Sequence, residues 1–257
     1  MTNAIQFAVG GLALPPKDQW IGVAERVRGR AVRDLSRRLT GQPEAQFSQL
    51  SPEHRSEISL VSGKDAAGRP LTGHPHAHFL LWPDEHGYPA RLVVWRREVP
   101  FSEDELFALI EASRKPVPSE GGQLYLVPLP PAMPLPRGLV GPASQWESVL
   151  PFVPPVARHR FRSGRVREGE TPERLAQRLL SDRGFPCAQA IAARVARPVR
   201  LHKTLLRRMA ANASTPFVRT GYDLMVTFAE PIAGPILIGD SCHFGLGLFR
   251  ALEGAQS

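Results

Sequence analysis

The chain has 257 residues, enough for two compact domains of about 130 each, and its 42% hydrophobic content rules out wholesale disorder. No apolar run approaches the roughly 20 residues that span a bilayer, and Cys187 and Cys242 supply neither a disulfide framework nor a four-thiolate zinc site. Net charge is +8, and 28 of the 32 basic residues are arginine, whose planar fork suits phosphates and stacks on bases.

The N-terminal residues 1–18 carry no basic segment ahead of their apolar stretch and run into Pro15-Pro16. They do not read as a secretory signal, and a soluble, cytoplasmic protein is expected. Residues 4–13 read as a strand ending in glycines. Trp20, Val23, Ala24, Val27, Ala31 and Leu35 then fall on one helical face, with Arg26, Arg30, Arg33 and Arg37 largely off it. A polar stretch covers residues 40–57. Residues 76–82 and 91–97 read as strands around a turn at residues 84–87, and Ser102 with Glu105 forms a capping box opening the next helix. Residues 124–127 complete the series. Strand, helix, strand, strand, helix, strand is the ferredoxin-like order: a four-stranded antiparallel sheet with helices on one face and the other face open.

The proline-rich run at residues 128–136 reads as a stiff linker. Beyond it, residues 146–153 suggest a strand and Thr171-Pro172 caps a helix carrying Leu175, Leu179 and Leu180. Residues 188–211 fit strand or helix. Residues 222–228, 235–238 and 246–249 read as strands. The expected fold class is α+β: two tandem ferredoxin-like (RRM-like) domains with a C-terminal glycine-rich loop. The expected boundaries are 1–130, a linker at 131–143, and 144–257.

Three features bear on chemistry. Between Arg158 and Arg208 fourteen basic residues face four acids, which concentrates the positive charge as a nucleic-acid footprint does. A solvated basic face would also produce it, and a GC-rich genome inflates arginine throughout. Arg194, Arg197, Arg200, Lys203, Arg207 and Arg208 make a basic face if their segment is helical. Second, Gly239, Gly245 and Gly247 let backbone amides approach a phosphate, although a tight-turn connector explains them as well. Third, in Thr72-Gly73-His74-Pro75-His76-Ala77-His78 the three histidines share one side of a strand, and Ala77, Phe79 and Leu81 share the other. This predicts three imidazoles on the open face of the sheet, for acid/base work, phosphate contact or structure. Zinc is a further reading, but no cysteine or carboxylate partner is evident. His202-Lys203-Thr204 fits one half of the paired motif of 2H phosphoesterases, and a second copy is missing.

Taken together, the glycine-rich ending, the tandem ferredoxin-like order and the basic second half resemble the RAMP superfamily of CRISPR proteins. Ser62-Gly63-Lys64-Asp65, then Gly73-His74-Pro75-His76-Ala77-His78 and Trp82-Pro83-Asp84, resemble the repeat-processing endoribonuclease of type I-U (I-G) systems. The run from Trp146 to Pro154 and the Gly234-Pro235, Gly239 and His243–Phe249 blocks agree with it, so the resemblance covers about residues 5–250.

The resemblance implies cleavage of CRISPR precursor RNA without a metal or other cofactor. The ribose 2′-hydroxyl attacks the adjacent phosphorus and leaves a 2′,3′-cyclic phosphate. That step needs a base, an acid and a cation beside the crowded phosphorane. It puts His76 first and His74 second as catalytic residues. His54 comes third, because the wider family often places its base in or after the first helix. Arg55 and His78 are expected to touch phosphate, as are His243 and the glycines Gly239, Gly245 and Gly247. Arg158, Arg160, Arg162, Arg165, Arg167, Arg200, Lys203 and Arg207 are expected to hold RNA backbone. The implied partners are CRISPR repeat RNA (crRNA) and other subunits of a Cascade-like effector complex, with no membrane. The alternative is a non-catalytic RAMP subunit that only binds the crRNA handle.

Overall fold

The computed structural model describes residues 2–42, 47–71, 73, 75–155, 169–200 and 218–252. The chain divides into two compact units, Met1–Met133 and Pro134–Ser257.

The first unit runs β1 (Ala4–Gly11), α1 (Trp20–Thr40), the short helices α2 (Pro52–Glu57) and α3 (Ser59–Ser62), and β2 (His78–Pro83). It continues with β3 (Pro89–Trp95), α4 (Glu103–Ser113), β4 (Val117–Ser119) and β5 (Gly122–Pro128). Its sheet is antiparallel in the order β2-β3-β1-β5-β4. The hairpin strand β4 makes five strands where four were expected. The other four stand in the ferredoxin-like order. Register follows the alternation of side chains: Phe7 lies opposite Leu92, Ile5 opposite Val94 and Phe79 opposite Val94. Phe7, Phe79, Leu81, Leu92, Val94, Leu124 and Leu126 therefore share one face. They are buried there with Trp20, Val23, Ala24, Val27, Ala31 and Leu35 of α1, and with Ala108, Leu109 and Ala112 of α4. Each large aliphatic or aromatic side chain removed from water in this way contributes roughly 1.5–3 kcal/mol. The indole N–H of Trp20 donates to the carbonyl of Pro15 at 3.0 Å, so burying it leaves no unsatisfied donor.

Helix α4 starts at the expected capping box. The Ser102 hydroxyl accepts from the Glu105 amide at 3.2 Å, and the Glu105 carboxylate accepts from the Ser102 amide at 2.7 Å. Glu105 also takes both terminal nitrogens of Arg96, each at 2.7 Å. The pair is buried, with 1% and 7% of the two side chains exposed.

In the second unit come α5 (Arg137–Val140), β6 (Ala143–Ser148), α6 (Pro172–Asp182), β7 (Ala190–Arg200), β8 (Val218–Ile232) and β9 (Phe249–Ala251). Its antiparallel sheet has the order β7-β8-β6-β9. Counting strands within the unit gives the same order as the first four-strand set, so the ferredoxin-like plan occurs twice. Thr171 caps α6 by accepting from the Arg174 amide at 3.4 Å, with Pro172 in the first helical turn. Leu175, Ala176 and Leu180 bury against Trp146, Phe152, Leu224, Val226 and Phe228. Between β8 and β9, where a second helix would stand, residues 233–248 form only the 3₁₀ turn Cys242–Phe244.

The segment that fits strand or helix from sequence is strand over residues 190–200, so Arg194 and Arg197 do not lie on a helical face: Arg197 pairs with Asp223 across the ladder, and Arg194 reaches the Met225 sulfur at 3.1 Å. Long cross-strand pairing with β8 outweighs the alanine and arginine propensity for helix. Residues 235–238 form no strand and make only the single bridge Leu237 to Leu248.

Candidate nucleic-acid interface

The segment that joins α1 to β2 brings most of the first unit's candidate residues into one neighbourhood. Ser51 caps α2 by accepting from the His54 amide at 3.3 Å, and Pro52 occupies the first turn, so His54 and Arg55 stand on a short helix rather than in a loop. Helix α3 ends at Gly63, whose φ of +67° is left-handed. A tight turn follows. Lys64 bridges to Pro70, and the Asp65 carboxylate accepts from the amide and side chain of Arg69, both at 2.8 Å. The Arg69 amide, above all, holds the Asp65 carboxyl below the usual aspartate range. The amide of Ala77 then donates to the Leu60 carbonyl at 2.7 Å, fixing His76 beside the end of α3.

Two features of this neighbourhood point to an anion. Phe47 has the Lys64 ammonium 5.0 Å and the Arg55 guanidinium 5.8 Å from its ring centre. Arg55 also donates to the Ala66 carbonyl at 3.4 Å. At Gly63, the position a Cβ would occupy is 3.4 Å from a terminal nitrogen of Arg28 and 3.4 Å from the His76 ring. Arg28 is anchored there by Nε donating to the Val61 carbonyl at 3.2 Å. Glycine at 63 therefore leaves a gap with a guanidinium and an imidazole on its borders.

The histidines do not line an open sheet face. His76 precedes β2 and is 6% exposed. His78 does lie on the side of β2 away from Phe79 and Leu81, as the alternation predicted, but that side is covered there: His78, Leu80 and Val93 are all buried. The His76 and His78 rings stack nearly parallel, 5.4 Å apart with a 5° interplanar angle, and His78 tilts against Trp95 at 5.7 Å. His74 lies outside the described residues. Among the described residues no three histidine, cysteine or carboxylate groups converge as a metal set. The exposed large hydrophobic side chains on this sheet face are Tyr125 and Val127 of β5, toward the other edge.

In the second unit the glycines have internal explanations. A Cβ at Gly247 would stand 1.9 Å from the Ile238 carbonyl oxygen, and one at Gly239 would meet Val153 and Phe152 at 2.7 and 2.8 Å. The amide of Gly245 donates to Cys242 at 3.0 Å and that of Gly247 to Pro151 at 2.9 Å. Those two amides are already engaged, contrary to the expectation that they face a phosphate. Arg219 pairs with Asp240, and the half-buried ring of His243 packs on Phe244 at 4.2 Å. Arg200 belongs to β7. Arg158, Arg160, Arg162, Arg165, Arg167, Lys203, Arg207 and Arg208 lie outside the described residues.

Sequence reasoning missed Arg28, Phe47 and Lys64. Phe47 had a signal, as a lone aromatic in a polar stretch, whereas Arg28 was hidden among the six arginines of α1.

Two ferredoxin-like sheets in tandem, with a basic neighbourhood after the first helix, define an α+β protein of the tandem ferredoxin-like class. No protein-family model matches the sequence, and no curated protein matches it. The solved structures that resemble it include CRISPR Cas6 and RAMP proteins. A Cas6 product complex is 14% identical, with 97% of this chain and 99% of that chain covered and a TM-score of 0.46. A RAMP protein binding different RNA substrates is 13% identical, with 97% and 99% covered and a TM-score of 0.44. Cas6b is 10% identical, with 97% and 100% covered and a TM-score of 0.47.

Proposed function

We propose that this chain is a CRISPR RAMP endoribonuclease that cuts precursor RNA within its repeats and stays on the crRNA as a subunit of an effector complex. The observation that carries the reading is the gap at Gly63, bordered by the Arg28 guanidinium and the His76 ring. The sequence blocks around Gly63, Gly73–His78 and Trp82 support it independently.

In this reading the scissile phosphate enters beside Gly63. Arg28 faces the non-bridging oxygens and stabilises the charge that gathers on the phosphorane. The His76 imidazole moves a proton at the ribose 2′-hydroxyl, whose oxygen attacks phosphorus as the bond to the 5′-oxygen breaks. The departing oxygen takes up a proton and leaves as a 5′-hydroxyl, and the other end closes as a 2′,3′-cyclic phosphate. Stacking on His78 holds the His76 ring in place. Arg55 and Lys64, both close to Phe47, hold the neighbouring phosphates, and a base stacks on Phe47. His54, next to Arg55 on α2, is a further imidazole of this neighbourhood. No step in this scheme calls for a metal ion.

The test is incubation of the protein with CRISPR repeat RNA in excess EDTA, followed by end-group analysis. A single cut with a cyclic phosphate is expected. His76→Ala should abolish it while leaving RNA affinity within a few-fold. Cleavage that survives in His76→Ala but disappears in His54→Ala would transfer the proton-handling role to His54. Tight binding with no cut by the unaltered protein would leave the handle-binding subunit as the function, and cutting only with added metal would overturn the scheme.

A further inference from the structure

Between α3 and β2 the run Lys64-Asp65-Ala66-Ala67-Gly68-Arg69-Pro70 carries the aspartate and glycine of a tight turn. The Asp65 amide donates to the Arg69 carbonyl at 2.8 Å, the Gly68 amide donates to the Asp65 carbonyl at 2.9 Å, and Gly68 takes a left-handed φ of +80°. One carboxylate oxygen of Asp65 accepts from the Arg69 amide, which leaves the other for the Arg69 Nε–H, both at 2.8 Å. The base of the turn is tied twice. Lys64 bridges to Pro70, and the Leu71 amide donates to the Gly63 carbonyl at 3.0 Å. Arg69 is thus mounted on a turn that its own backbone closes.

This mounting orients the guanidinium plane and spares its outer edge. Asp65 holds Nε, the two terminal nitrogens of Arg69 hydrogen-bond to nothing among the described residues, and 79% of the side chain is exposed. The turn also leans on the ring already assigned to base stacking: the position a Cβ would occupy at Gly68 is 3.9 Å from Phe47, and Arg55 donates to the Ala66 carbonyl at 3.4 Å. Arg69 is a poor phosphate ligand for all its exposure. The Asp65 carboxyl, held below the usual aspartate range by the Arg69 amide above all, stays ionised, so the pair is neutral. A phosphate at the terminal nitrogens would also approach that carboxylate, whereas two neutral acceptors meet no such repulsion. Guanine supplies them: N7 and O6 lie side by side on an edge that stays open whether or not the base is paired, and an arginine fork takes both.

We propose that Arg69, braced by Asp65, reads a guanine of the RNA through N7 and O6, next to the base that stacks on Phe47. The turn starts at Asp65, two residues beyond Gly63, which is at most about 7 Å of chain. A nucleic-acid strand rises about 3.4 Å per nucleotide, so the guanine lies within about three nucleotides of the scissile phosphate. Asp65 is a positioning residue: it sets the Arg69 plane and touches no RNA. The inference rests on the RNA-processing reading above and adds a sequence preference that phosphate contacts alone do not give.

The test measures binding of the full chain to a 12-nucleotide oligouridine and to the same oligomer carrying one central guanine, inosine, 7-deazaguanine or cytosine. Cleavage of CRISPR repeat RNA in EDTA is followed in parallel. Guanine and inosine both present N7 and O6, so their oligomers should bind at least about fivefold tighter than oligouridine, and the other two should not. Arg69→Lys keeps the charge and removes the fork, and should bring all five oligomers within about twofold of one another. Asp65→Asn leaves an oxygen for the Arg69 amide but sets an NH2 group against Nε, and should cut the guanine preference to under about twofold. Thermal unfolding of Arg69→Lys should be unchanged, because the side chain is exposed. A preference that survives Arg69→Lys, or one that 7-deazaguanine shares, overturns the proposal. If the unaltered protein cuts repeat RNA but shows no guanine preference, the guanine site falls and the cleavage reading stands. A guanine preference that Arg69→Lys abolishes, in a protein that does not cut, keeps the guanine site and removes the nuclease. Failure both to bind any oligomer and to cut overturns both readings.

Discussion

Replacing Arg96 by methionine tests the buried ion pair of the first unit. Arg96 is 1% exposed and holds both carboxylate oxygens of Glu105 at 2.7 Å. It also donates to the carbonyls of Val99 and Pro100 and lies over the Phe101 ring at 4.2 Å. Methionine keeps much of the volume but removes every donor. The Glu105 carboxylate would remain buried with the Ser102 amide from the capping box and lose its counter-ion. Stranding one member of a buried pair costs about 3–5 kcal/mol, a large share of the 5–15 kcal/mol by which a domain is stable. Removing both charges, as Arg96→Met/Glu105→Leu, should cost much less: about 1 kcal/mol for the lost cap, with desolvation recovered. Urea unfolding followed by tryptophan fluorescence on the two single variants and the double variant gives the coupling directly. A coupling of 2 kcal/mol or more is expected. Additive costs, or an Arg96→Met penalty under about 1 kcal/mol, would refute the idea that the bidentate pair fixes the start of α4 to β3.

Gly63→Ala should cost about 1–2 kcal/mol through its left-handed φ, yet reduce RNA cleavage at least a hundredfold by filling the gap beside Arg28 and His76. A rate loss no larger than the stability loss would place the reacting phosphate elsewhere. Gly247→Ala puts a methyl against the Ile238 carbonyl and should destabilise the second unit by about 3 kcal/mol or more, read as lost soluble yield and a lowered Tm. Burial pushes the Cys242 thiol up despite the nearby Arg183, so its thiolate stays scarce as pH rises from 7 to 9. Iodoacetamide with mass mapping should label exposed Cys187 and spare Cys242 throughout that range.

The sequence made the first sheet legible because its signals agree with one another. The alternation in residues 76–82 and 91–97, the α1 stripe and the Ser102 cap all demand one arrangement. The basic segment of β7 was ambiguous because alanine and arginine favour helix, and only pairing with β8, about 20–40 residues away in sequence, decides for strand. Alternation correctly assigned His78 to the face away from α1. It gave no sign that Leu80 and Val93 on that face are covered too, since period-two patterns report sides and not exposure. The contact between Gly63, Arg28 and His76 joins residues 28, 63 and 76, which no local pattern links. It is visible only once α1, α3 and the start of β2 are packed.

The glycines of residues 239–247 answer to the protein's own packing: Gly247 to the Ile238 backbone, Gly239 to the Val153 carbonyl and the Phe152 ring. Their placement therefore answers to architecture and is indifferent to chemistry. A descendant that had lost both His54 and His76 would still need them to close its second sheet. Under the proposed function, a search keyed on such a glycine signature would gather working nucleases and silent binding subunits alike, and Arg28, Gly63 and His76 would be the better means of sorting one from the other.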